Sequence, residues 1–464
     1  MAGLFDGLEM GKRALATHQL SLNTVGHNIS NVNTPGYTRQ RVNTTTTYPQ
    51  KIPSGLVGTG VKAVDIVQIR DLFLNRQFRE NNKALGQWTS MEKTLTQIES
   101  IFTEPNRDSL SDLLDQFWTS WSDLANNPES MAARTALVEH TNLLTSGFNR
   151  LYRQMSDLSK SVDNDVVMTV QKVNDLAEEI ASLNQQIARA ELGGQKANDL
   201  RDKRDLLIDE LSQYVDINSV EQKNNTATVY IGSLAIVEGV TSFKIGTRKT
   251  VAGETTASAI VWAGTTKEIK NLNGELLGMV ETRDRILPDY MAKLDEMAQA
   301  LISQVNSLHQ TGFGLDGSTG LNFFDPLKNG AATIAINFSI AGNVNKIAAS
   351  RGGEVGDNLN ALAIADLRYS QVLSRGTATL SEFYNSLIGE LGIDSSKAQG
   401  LKENFELLLN QIENARQAVQ GVSLDEEMAQ MIKFQHAFDA AARVITTMDE
   451  ALVTVIQDMG LVGN

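Results

Sequence analysis

Few residues in this chain stand at spacings that could do chemistry. The five histidines are His18, His27, His140, His309 and His436, and none falls in H-E-x-x-H or near a second His at ligand distance. The adjacent carboxylates Glu178-Glu179 and Glu426-Glu427 would point apart on a helix, so they cannot share a reacting group. Glu426 and Glu427 suit a helix N-terminus instead. Gly55, Gly58 and Gly60 spell G-x-x-G-x-G, the reverse of a dinucleotide fingerprint, and read as bends. Asp316 is one carboxylate in a glycine-rich loop, too few for a calcium loop. No G-x-S-x-G elbow, P-loop or kinase set occurs. Cysteine is absent, which excludes disulfides, thiolate metal sites and a Cys nucleophile. These patterns predict neither catalytic, cofactor nor metal-binding residues.

Asn28, Asn31 and Asn33 are the polar cluster that remains. Asn bonds local backbone and tolerates the left-handed region, so a capping and turn cluster is the first reading. Side-chain amides that bond a neighbouring subunit are the second. Pro35-Gly36 suits a type II turn, and Tyr37 reads as a packed anchor. The residue before a proline avoids the helical region, so a helix must end by about Asn33.

That helix begins near residue 4. Positions 4, 8, 11, 15, 18, 22, 25, 29 and 32 step by four and three, and all but Gly11 and His18 are apolar. The period is that of a coiled-coil seam. His18 in such a seam sets register or partner number at some cost in stability. A second seam runs from 424 to 459 at the other end, through Met428, Met431, Phe438, Ile445, Leu452 and Ile456, broken by Gln435 and Asp449. Two terminal seams of similar length predict that the ends pair and that everything between is an excursion. An isolated pair would be marginal, so loose termini that order in an assembly are expected.

Here the residues carry a resemblance. Thr24-Val-Gly-His-Asn28-Ile-Ser-Asn31-Val-Asn-Thr-Pro-Gly-Tyr37 resembles the N-terminal signature of the bacterial flagellar axial proteins of rod, hook and hook-associated type. Tyr37-Thr-Arg-Gln-Arg-Val42, Gly421-Val-Ser-Leu-Asp-Glu-Glu-Met428 and Ala441-Ala-Arg443-Val-Ile445 are similar to the hook-associated protein 1 family. The resemblance implies a structural protein at the hook–filament junction. It would assemble with itself in a ring, with hook protein and with the next junction protein. An export chaperone would hold its C-terminal region. It implies export by the flagellar type III route, from the cytoplasm to the outside, without a cleaved signal. The assembly interface would comprise Leu8, Leu15, Leu22, Val25, Asn28, Ile29, Asn31, Pro35, Gly36, Tyr37 and the six C-terminal seam residues named above. The alternatives are another axial protein (rod, hook or flagellin) or a flagellum-associated cell-wall hydrolase or binding module. Rod and hook proteins would lack a long helical body, flagellin the Asn-rich turn, and a hydrolase needs a convergent polar cleft.

Composition agrees with a packed, acidic protein. The chain has 464 residues, 41% hydrophobic, with a formal net charge of −14. Acidity mainly aids solubility and disfavours nucleic acid, whose phosphates need clustered Lys and Arg. Met1-Ala-Gly-Leu-Phe-Asp lacks the basic and apolar regions of a signal peptide, and no apolar run approaches the roughly 20 residues of a membrane span. The expected class is mainly α with a smaller β part, an elongated multi-domain rod. Its expected divisions are a discontinuous terminal coiled coil over 1–37 and 422–464, and a helical body over 38–216, 266–325 and 341–421. A small β insert spans 217–265, with 332–340 as a further candidate strand. Trp88, Trp118 and Trp121 fall on two neighbouring helices and read as core. Pro105 would stop the first of these, with Asp108 or Ser109 capping the next. The run Arg201-Asp-Lys-Arg-Asp205 mixes signs and reads as a solvated face.

Overall fold

A computed structural model describes residues 4–53, 55–102, 109–252, 255–270 and 272–457. Helix α1 (Leu4–Ser30) leads into a β-ribbon of β1 (Gln40–Thr46) and β4 (Val61–Gln68), extended at its tip by β2 (Gln50–Ile52) and β3 (Gly55–Val57). Both pairs are antiparallel, with a bulge between Asn43 and Thr44. Gly55 and Gly60 take positive φ, so these glycines are bends. Pro105 and Asp108 lie outside the described residues, as does Met459 of the C-terminal seam.

The body is built on one long spine. After α2 (Leu72–Phe102) and α3 (Leu110–Asn126), helix α4 (Met131–Ala190) runs 60 residues, about 90 Å. Ser109 and Ser130 cap α3 and α4 by accepting from the N–H groups of Asp112 and Ala133. Gly194 breaks the run in the left-handed region, and α5 (Asn198–Tyr214) folds back. Antiparallel strands follow: β5 (Ile217–Glu221), β6 (Ala227–Ile231), β7 (Leu234–Glu238) and β8 (Thr241–Ser242) in one sheet, and the hairpin β9 (Ile245–Ala252) with β10 (Thr255–Trp262). Next come α6 (Gly274–Glu281) and α7 (Leu287–His309), joined by a π-helical turn over Thr282–Ile286. Pro288 has no N–H for the carbonyl four residues back, and the widened turn absorbs that loss.

The segment 332–340 is not a strand. Ile336 makes a single bridge to Phe324, and Asn337 caps the short helix α8 (Phe338–Ala341) by accepting from Ser339 N–H. Local Asn-to-backbone bonding outcompetes the ladder there. Helix α9 (Leu359–Ala365), α10 (Leu380–Gln420, opened by a Thr379/Glu382 capping box) and α11 (Leu424–Gln457) complete the chain.

Two hydrophobic cores share α4. The first gathers α2, α3, the first half of α4, α7 and α10 around Trp118, Trp121, Phe117 and Phe323. The second joins Val162–Ala181 of α4 to α5, α6 and the strands, and Leu158 packs against both. Trp118 and Trp121 are core residues, with Trp121 and Phe323 ring centroids 5.1 Å apart, and Trp88 packs half-buried against the same core.

His309 is buried in the first core. Its Nδ1–H donates to Leu321 O at 2.7 Å, and its Nε2 accepts from Ala348 N at 3.0 Å. This pattern requires the neutral ring, and burial pushes its pKa from 6.5 down to about 4. A folded-state pKa below the unfolded one means stability is complete above pH 6.5 and declines as pH falls toward 4. The expected decline from this group is about 3 kcal/mol. Urea denaturation of His309→Gln at pH 7 and pH 4.5 should show a smaller loss on acidification than the wild-type chain.

Candidate functional site

The two ends meet as antiparallel rods. Asn28 reaches Glu427 at one end, His18 faces Phe434 midway, and Gly7 meets Met448 at the other end. Gly11 is required for this approach: a Cβ there would lie 2.7 Å from Ile445 Cγ1. The breaks in the α1 seam, Gly11 and His18, are therefore contact positions.

A helical wheel at about 100° per residue orients the remaining faces. Met10 and Arg13 point about a quarter turn or more to one side of the α11 contact, toward Gly60 and the Thr59 carbonyl of the ribbon. Thr17, Ser21 and Thr24 lie on that side, buried. Each hydroxyl donates to the carbonyl four residues back, so all three are paired beneath the ribbon. Leu8, Leu15, Leu22 and Ile29 point the other way and are half-buried. On α11, Leu424, Met428, Gln435 and Ala442 are rotated likewise from the contact line. Because the helices are antiparallel, both stripes emerge on one side, opposite the ribbon. Among the described residues of these two helices, only Val25 and Ala441 are buried apolar side chains besides glycine. Met431, Phe438, Ile445 and Leu452 are half-buried, while Met428 and Ile456 are 51% and 69% exposed.

A dense polar cluster roots the rods in the body. Asn28 is 1% exposed and makes four hydrogen bonds. Its Nδ2 donates to Gln40 O and Glu427 Oε2, both at 2.9 Å, and its Oδ1 accepts from Tyr37 Oη at 2.8 Å and Gln40 N at 3.0 Å. One amide thus ties α1, β1, the turn and α11 together. Arg39 pairs with Glu426 and Glu427, each at 2.6 Å, so these carboxylates do more than favour a helix N-terminus. The turn forms as its residues require: Tyr37 N–H donates to Thr34 O at 3.1 Å with Gly36 at φ 74°. Pro35 and Gly36 are exposed on it. Asn31 is a local cap, donating to His27 O at 3.0 Å, and Asn33 is exposed. Burial, with Asp199, Asp202 and Glu427 nearby, holds the Tyr37 hydroxyl far above its ordinary pKa, so it remains a donor.

The run 201–205 is not a solvated face. Asp202 and Arg204 are 4% and 3% exposed. Asp202 accepts from Thr38 N, Thr38 Oγ1, Gln68 Nε2 and Arg70 Nη2 at 2.7–3.1 Å. Burial pushes its carboxyl up, against the pull of Arg70 and Thr38. Arg70 also pairs with Asp205, and Asp209 receives Arg79 at 2.6 Å and Arg416 at 2.8 Å. A row of acids on α5 thus binds the ribbon end, α2 and α10. Sequence reading missed this row, although Asp202, Asp205 and Asp209 at i, i+3, i+7 share one helix face. These charges are engaged with each other, and no group of three or more potential metal-ligating side chains occurs among the described residues.

The family model "flagella basal body rod protein" matches residues 8–38, and "flagellar basal body rod FlgEFG protein C-terminal" matches 418–458, the two segments that pair. The model "flagellar hook-associated protein FlgK helical domain" matches 95–324. The chain is 34% identical to flagellar hook-associated protein 1 of Bacillus subtilis strain 168, over 100% of both chains. The chain belongs to the flagellar hook-associated protein 1 family. Its identity to the hook-associated protein 1 of Escherichia coli K12 is 24%, over 98% of this chain and 100% of the relative. The solved flagellar hook junction protein FlgK from Burkholderia pseudomallei shares its fold, with a TM-score of 0.65, 16% identity, and coverage of 74% of this chain and 100% of that one. As a hook-associated family member, the chain is a structural component of the bacterial flagellum. It assembles with itself and with hook components.

Proposed function

We propose that this hook-associated protein joins hook to filament as a ring of copies in the axial tube, linked through the paired α1–α11 rods. The observation that carries the reading is the apolar face of that pair, which the single chain leaves open beside Leu8, Leu15, Leu22 and Ile29. Such faces gain most of their stability on burial. In this reading the terminal rods over 1–37 and 422–464 line the inner tube and reach full order there. The body meets lateral neighbours, and the insert over 217–265 faces outward. The role is mechanical and involves no catalysis. Before assembly the chain leaves the cytoplasm through the flagellar type III route, and a chaperone covers the exposed stripe of α11.

Leu22→Asp tests the reading. It puts a charge in the open face while leaving the body cores untouched. In a strain lacking the wild-type chain, it should yield hooks without filaments and release folded protein. Its thermal melting should stay within about 0.5 kcal/mol of wild type. Normal filaments under electron microscopy would rule the reading out.

A further inference from the structure

The rod has two unlike flanks. One is the apolar face of α1 and α11. The other is the ribbon, which runs along α1 on the far side, from Gln40 at Asn28 to Gly60 at Met10. The ribbon carries apolar residues of its own in the open: Tyr48 is 90% exposed, Leu56 70% and Val64 61%. Its charge is also distinctive in an acidic chain. Arg41, Lys51 and Lys62 make no ion pair among the described residues, while its one acid, Asp65, is engaged by Lys196 at 3.8 Å. The apolar face is bordered on α11 by four acids, Asp425, Asp439, Asp449 and Glu450, and one base, Arg443, all exposed, so the border is net acidic.

We infer that the ribbon of one copy packs on the α1–α11 apolar face of the next. The inference rests on the ring reading above and gives it a contact. Opposite placement is what a head-to-tail interface needs, since a ring closes only through two different patches on each subunit. Charge agrees, basic ribbon against acid-bordered stripe. Length agrees as well. Eight residues of β4 span about 26 Å at 3.3 Å each, and residues 10–28 of α1 span about 27 Å, so ribbon and helix pair run side by side over the same height. The ribbon's exposed apolar residues and the open stripe on α11 both require cover, and each is the other's complement.

The absence of cysteine makes the contact testable by cross-linking. Val64→Cys would be combined in turn with Met428→Cys, Gln435→Cys or Ala442→Cys, which step along the stripe and allow for axial offset between copies. Hook–filament particles would be isolated from motile cells carrying each variant as the only copy, then oxidised. At least one double variant should form a ladder of dimers and higher multimers that collapses on reduction, while each single variant forms no ladder. The chain found in the particles without a ladder from any pair overturns the pairing and leaves the ring reading standing. Cross-links from the stripe to hook protein alone overturn it too. A chain absent from the particles overturns both.

Discussion

Asn28→Asp should detach the filament. The substitution is isosteric, but it replaces a donor with an acceptor between Gln40 O and Glu427 Oε2. Both now face a second oxygen, in a site already crowded by Asp199 and Asp202 around Tyr37. Breaking a buried, charge-assisted bond in this way costs about 3–5 kcal/mol. The expected result is hooks without filaments and faster amide exchange over residues 4–30, with the body's melting unchanged. Asn33→Asp is the control, because that side chain is exposed and should shift nothing beyond about 0.5 kcal/mol. Attached filaments and unaltered exchange in Asn28→Asp would show that the rods are rooted by something else.

Gly86→Ala should weaken the body rather than the rods. Helix α2 is crossed by α5 at this residue, and an added Cβ would sit 2.2 Å from Gln213 O, a backbone atom that cannot turn aside. A Cβ added at Gly278 of α6 would likewise lie 2.5 Å from the carbonyl oxygen of Gln87, the next residue of α2. Overpacking two backbones should cost about 3 kcal/mol. Gly389→Ala in α10, where a Cβ meets nothing within 4 Å, should instead stabilise by about 0.5–1 kcal/mol. Urea midpoints moving in opposite directions would confirm that crowding, not helix propensity, governs Gly86. Equal shifts would refute it.

Local patterns determined much of this protein. The three-four step located both terminal helices, Pro35-Gly36 ended the first, and Ser109, one of two candidate caps, opened a helix of the body. Those signals are legible because they act over one or two turns of chain. The signature through Asn28 and Tyr37 carried the family for the same reason, being continuous in sequence. What the tertiary structure decided is where each face points. Periodicity places Leu8, Leu15 and Leu22 on one stripe, but only the packing shows that Gly11 and His18 take the close contact, leaving that stripe partly open. Asn28 is ambiguous among local caps until Gln40 and Glu427 arrive from elsewhere in the chain. The run at 201–205 misled because surface and buried charges look alike in sequence. Whether Asp202 is solvated depends on Thr38 and Arg70, over 130 residues away, and desolvation with long-range partners leaves no local period to read.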